Sequence, residues 1–154
     1  MGMRQLAKFI SDREEEILER AMWYAEKQGY LEITSQVPLA WRLAIRGLSA
    51  SLESLTATCE APAELTPQED YRSGPAGDFA ILEAKMHSDR GVTLPQFLGM
   101  MKYFRQSFND AVTDASFDRD TRYKYHRYLD RFFDRVELGF ISAWVTSPDF
   151  TREV

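Results

Sequence analysis

The chain reads as an all-α protein, a bundle of about five main helices, on three observations. Apolar residues return at three- and four-residue steps along most of its 154 residues, the period of a helix with one buried face. Between Ile81 and Phe108 one such line stops and another starts, with the chemistry of a helix end followed by that of a helix beginning. No alternating pattern of strand length competes with these lines.

Leu6, Ile10, Ile17, Ala21 and Tyr24 share one face and predict a first helix over residues 4–28, ended by Gly29. Thr34 or Ser35 is the expected cap of a second helix, whose apolar line of Trp41, Ile45, Leu48, Leu52 and Leu55 runs to about Cys59. From 60 to 77 the period is lost, and Pro62, Pro67, Gly74, Pro75 and Gly77 mark a long connector. Within it, Thr66-Pro67-Gln68-Glu69 has capping-box spacing and predicts one helical turn. A connector this long is often functional, and its simplest role is a surface crossover. Asp78 is expected to cap a third helix, 79–90.

Arg90 and Gly91 close that helix, a cation near the C-terminal dipole and then a residue that turns left-handed at no steric cost. Thr93 opens the fourth helix with Gln96 as the other half of a capping box and Pro95 in the first turn. Val92 and Phe97 hold the two positions of a hydrophobic staple, and the buried face continues through Met101, Phe104, Phe108 and Ala111. Asp118 or Asp120 begins the last and longest helix, which runs to about Thr146, where Ser147-Pro148 stops it. The length and the single run of helices predict one domain over 1–154.

The segment from His87 through Asp89-Arg90 and Gly91-Val92, followed by Leu94 and a long apolar helix carrying Tyr103-Phe104-Arg105, resembles the N-terminal domain of RsbR-type stress regulators. Related domains stand ahead of some bacterial sensor histidine kinases. The opening is similar too: Phe9-Ile10, the acidic Glu14-Glu15-Glu16, then Ile17-Leu18-Glu19-Arg20 and Trp23. The resemblance implies a globin-like helical fold without haem, acting as a dimeric sensor ahead of an output module. It supplies no catalytic residues.

Composition limits the function classes. Apolar residues at 44% and aromatics at 13% support a packed core. A net charge of −5 opposes general nucleic-acid binding, which needs a cationic footprint. The Arg122-Tyr123-Lys124-Tyr125-His126-Arg127-Tyr128 stretch interleaves bases and aromatics, but on a helix it reads as tyrosines on the bundle with cations in water. One cysteine, Cys59, forms no internal disulfide and lacks redox-motif context. No apolar run approaches bilayer length, the first residues turn charged too early for a secretory signal, and the myristoylation pattern after Gly2 is missing. These readings predict a cytoplasmic chain with no membrane insertion.

Catalytic signatures are missing: no GxSxG, GxxxxGK[ST] or GxGxxG occurs, and no histidine pair has metal-site spacing. Glu16 with Arg20 and Asp120 with Lys124 have the four-residue spacing of helix-surface ion pairs. The expectation is a non-enzyme, with neither a metal site nor a required cofactor. His87, one turn after Glu83 and next to Met86 on an apolar face with Phe79 and Leu82, is the residue that would serve a haem-binding alternative as axial ligand.

Gly47, Gly99 and Gly139 fall inside helices, where each costs about 1 kcal/mol relative to alanine. Close helix packing accounts for them most simply; a small ligand cavity lined by Trp41, Gly99, Met100 and Met101 is the alternative. In the last helix, Tyr125, Leu129, Phe132, Val136, Gly139 and Ala143 form a heptad-like stripe beside Phe133, Phe140 and Trp144. A face this wide predicts a homodimer interface at Phe133, Gly139, Phe140, Ala143 and Trp144, with a central helix wrapped by its own bundle as the competing account. The functional expectation is a signal-input domain controlling a kinase or stressosome-type output partner, with a haem sensor or a ligand-free interaction scaffold as alternatives.

Overall fold

A computed structural model describes residues 2–34, 37–61 and 64–145. Among them the chain forms seven helices and no strand: α1 (Arg4–Ser11), α2 (Glu14–Lys27), α3 (Tyr30–Ile33), α4 (Pro38–Thr58), α5 (Gly74–Asp89), α6 (Leu94–Asp114) and α7 (Arg119–Val145). The all-α expectation holds. The count of about five does not, because the first expected helix is broken and a one-turn helix follows it.

The break falls at Asp12-Arg13, where Arg13 leaves helical geometry at φ −121° and ψ 22°. Ile10 and Ile17 stand seven residues apart, two turns, so their apolar line runs straight through the break. Arg13 compensates locally, its guanidinium lying 3.9 Å over the Phe9 ring. Gly29, at φ +81°, ends α2 as expected and turns the chain into α3. Thr34 does not cap the next helix; its hydroxyl donates to the Tyr30 carbonyl and closes α3 instead. The fourth helix starts at Pro38 after extended Val37, proline tolerating a first turn that has no use for its N–H. The alternative cap Ser35 lies outside the described residues.

The third expected helix starts earlier than Asp78, at Gly74, with Pro75 in its first turn. Thr66-Pro67-Gln68-Glu69 makes a hydrogen-bonded turn, Glu69 N to Thr66 O, and not a helix. The junction of α5 and α6 follows the sequence closely. Gly91 sits at φ +83°, its N–H bonding the Ser88 carbonyl while the Val92 N–H bonds that of His87, a complete Schellman motif. Thr93 accepts from Gln96 N at 3.3 Å, and Thr93 N donates to the Gln96 side chain at 3.0 Å. Val92 and Phe97 are both buried, as a staple requires. Asp118, not Asp120, caps α7, accepting from Thr121 N at 2.9 Å.

α7 is the spine of the bundle, packed on both α5 and α6, while α4 bridges α1, α2 and α5. Tyr128, Leu129, Phe132, Phe133, Val136, Phe140 and Trp144 are all buried within this one chain. That overturns the interface assignment for Phe133, Phe140 and Trp144: Phe133 meets Phe108 edge-on, and Phe140 and Trp144 both pack on Phe97. Ala143 is half-buried against the same core. Gly139 faces α5, where a β-carbon would run into Ala80 and the Tyr71 carbonyl. The helix is apolar over a wide arc because its own bundle surrounds it.

A second device fixes α7. Arg127 and Arg131 hold the carboxylate of Glu64, and Arg135 grips Glu69 at 2.7 Å, so three arginines at four-residue steps tie the connector along one face. The cations of the basic–aromatic stretch are therefore partly used inside the chain, and Tyr128 donates from beneath to the Cys59 carbonyl at 2.6 Å. Across the α6–α7 seam, Arg105 bridges Asp134 at 2.8 Å and Glu137 at 2.9 Å, and Lys102 also pairs with Glu137. Glu137 is only 7% exposed and fully paired.

Candidate functional site

Among the described residues, an apolar groove of about 370 Å³ lies between α4, α5 and α6. Its size falls in the range of small-molecule sites. Trp41 of α4 stacks on Phe104 of α6, with centroids 5.2 Å apart and planes at 19°, and this pair forms the floor. Phe97, Met100 and Met101 continue the wall on α6, and Phe79 closes it on α5. Three of the four residues expected to line a cavity, Trp41, Met100 and Met101, are therefore brought together.

Gly99 is not among them. It points the other way, towards α3, where the Tyr30 hydroxyl fills the volume a side chain would need. Gly47 likewise makes room for the Phe79 ring. The in-helix glycines thus serve close packing, as the simpler account had it.

The α5 edge of the groove is where the polar groups stand. Phe79, Leu82 and Met86 do not share one buried face: Phe79 is buried, while Leu82 and Met86 are exposed. The inward face of α5 is built from Gly77, Ala80 and Ala84, small residues that let it press against α7. This rotation brings Glu83 and His87 to the groove, each nearly buried at 15% and 12% side-chain exposure, with Arg90 beyond them.

His87 Nδ1 lies 2.8 Å from the Glu83 carbonyl, which makes it the donor and leaves Nε2 as the acceptor. Its ring packs on Phe97 at 4.5 Å. Burial pushes the His87 imidazole down, against the raising effect of that carbonyl, so it is neutral at neutral pH. Burial pushes the Glu83 carboxyl up, and the nearby Arg90 charge partly offsets this.

Nε2 offers a single axial donor, and the stacked Trp41 and Phe104 rings floor the groove beside it. Among the described residues no cluster of three or more histidine, cysteine or carboxylate side chains is placed to hold a metal ion. His126 has both nitrogens engaged, Nδ1 with Asn109 at 2.6 Å and Nε2 with Thr113 at 3.2 Å, bridging α6 and α7. Cys59 caps α4 and contacts the Ala61 carbonyl.

Of the expected surface ion pairs, Asp120–Lys124 forms at 3.0 Å. Arg20 turns from Glu16 to Asp110 and Asp114 of α6, so that the polar cleft between α2 and α6 is spanned by its own charges. Among the described residues no helix is long and apolar enough to cross a membrane.

The groove's other residues carried a weak sequence signal. Leu39 and Leu43 are one turn apart on α4, off the line of Trp41 and Ile45, and both are more than half exposed at the groove's mouth. Taken together, fold and site define an all-α domain with an apolar, polar-edged groove. The chain matches no protein-family model, no curated protein and no solved structure.

Proposed function

We propose that this chain is a non-catalytic signal-input domain that takes up a small, largely apolar molecule between α4, α5 and α6 and relays its presence to an output partner. The observation that carries this reading is the groove's composition: a wall of aromatic and methionine side chains with Glu83, His87 and Arg90 along one edge. Apolar walls supply affinity, a few polar groups supply orientation, and methionines adapt to the shape of what enters. Close packing is the rule in a bundle of this size, so an apolar opening needs a use. The globin-like helix arrangement, the cytoplasmic setting, the homodimer and a histidine-kinase or stressosome-type output belong to the same proposal, on the strength of the resemblance of His87–Arg105 and of the opening helix. With the α7 stripe buried, any dimer contact falls on another face.

A second reading has its own support. Leu39, Leu43 and Met86 are exposed around the groove's mouth, a patch suited to an apolar helix of a partner protein.

Thermal denaturation with a panel of small aromatic and alicyclic compounds tests the first reading. Ala44→Phe fills the groove from a half-exposed position on α4. Ligands that raise the wild-type midpoint and leave Ala44→Phe unmoved support it. A wild type that responds to none of them, or a filled variant that responds equally, overturns it.

A further inference from the structure

Glu83 stands at the groove's edge, 15% exposed, and among the described residues its carboxylate accepts no hydrogen bond. His87 Nδ1, 3.6 Å from that carboxylate, is committed to the Glu83 main-chain carbonyl at 2.8 Å. The other charges around the groove neutralise it only in part. Arg42 and Arg46 of α4 turn to α2 and pair with Glu15 and Glu14. Arg90 makes no ion pair with a described residue and sits exposed at the end of α5, where water and salt screen it. What faces Glu83 across the groove is aromatic, Trp41, Phe97 and Phe104, with Phe79 one turn before it on α5.

A carboxylate short of water and of donors favours an opposite charge brought to it, and ring faces attract cations more strongly as water is excluded. An anionic head group would meet repulsion at the same place, and a neutral one would gain only a hydrogen bond.

We propose that the groove selects small lipophilic cations, amines or quaternary ammonium compounds with an apolar body, with Glu83 as counter-charge and the aromatic wall as the π and apolar face. The proposal rests on the reading that this groove takes a small molecule and adds the chemistry of its choice. Arg90 sets the outer limit of the site: a cationic head lodges at Glu83, inward of it, and the apolar body lies over Trp41 and Met101.

Three probes sharing one apolar body separate the possibilities: 4-phenylbutylamine, 4-phenylbutan-1-ol and 4-phenylbutyrate, titrated calorimetrically into the wild type and Glu83→Gln at pH 7. The wild type is expected to bind the amine about tenfold more tightly than the alcohol, a factor within reach of one desolvated charge contact, with the carboxylate weakest. Glu83→Gln keeps the shape and is expected to bind amine and alcohol equally. A wild type that binds alcohol as well as amine, or carboxylate best, overturns the charge selectivity while leaving the small-molecule reading intact. The same holds if Glu83→Gln retains the amine preference. Failure of all three probes to bind at millimolar concentration removes both. The wild-type comparison stands by itself should the variant misfold.

Discussion

Gly139 of α7 and Ala80 of α5 pack so closely that a β-carbon on the glycine would stand 2.8 Å from that of the alanine and 2.9 Å from the Tyr71 carbonyl oxygen. The two helices meet almost backbone to backbone, with the end of the connector wedged over the same point. Gly139→Ala gains up to about 1 kcal/mol of helix propensity but must push main chain aside, for a net loss of about 1–3 kcal/mol. At Gly99 the obstacle is the tip of Tyr30, which can rotate away, so Gly99→Ala costs less. Urea denaturation of the two variants should rank them in that order, and equal midpoints would contradict the tight α5–α7 seam.

The reciprocal bonds of Thr93 and Gln96 set the start of α6. Thr93→Ala should lower stability by about 1 kcal/mol, visible as a shifted urea midpoint at unchanged slope, while Thr93→Ser retains most of it. A midpoint that does not move would show that the helix start is held by the Val92–Phe97 staple alone.

Glu83 gives the domain a pH signature. Because burial raises its carboxyl in the folded state, the native chain keeps a proton that the unfolded chain releases as pH climbs from about 4.3. Stability is therefore lost as pH rises towards the raised folded value, and the deficit persists above it. Glu83→Gln should melt higher than the wild type at pH 7, with the advantage disappearing by about pH 4. His87 slopes the other way: its imidazole is lowered, so below about pH 6.5 the unfolded state takes up the proton first and the fold weakens. A variant whose advantage is constant between pH 4 and 7 would place the Glu83 carboxylate in water.

Glu137 is shared by Lys102 and Arg105 at the α6–α7 seam. Glu137→Ala leaves the largely buried Arg105 short of a partner and should cost on the order of 3 kcal/mol. Combining it with Arg105→Met should restore much of the loss, since the pair can be replaced by apolar packing. A double variant as weak as the sum of the singles would mean that the two residues act independently.

What was legible in the sequence was local. Thr93, Gln96, Gly91 and Val92 act through neighbours within a few residues, so spacing alone located the α5–α6 junction. The break at Arg13 was hidden because Ile10 and Ile17 keep helical phase across it. Pro75 read as loop punctuation, although proline is equally at home in a first turn. On α7, the period identified the apolar positions correctly but could not say whose core they enter, and Phe133, Phe140 and Trp144 turned inward. The candidate site shows the same division. Trp41, Met100 and Met101 were marked by residue type, whereas Gly99 was misplaced because only the fold reveals that Tyr30 fills its gap. Glu83 entered as a neighbour of His87, and its facing the aromatic wall depends on the rotation of α5 imposed by Ala80 and Ala84.

The grip of Arg127, Arg131 and Arg135 on Glu64 and Glu69 has a consequence in time. The ribosome makes the connector well before it makes the helix that holds it, so the segment around Glu64–Tyr71 has no anchor while α5 and α6 emerge. α5 rests mainly on α7 and α4, so its seat against Gly139 waits for the last helix. Phe79 and Phe97 of the groove wall both rest on Phe140, so the groove gains its backing only with the helix that also draws the connector down through its arginine row.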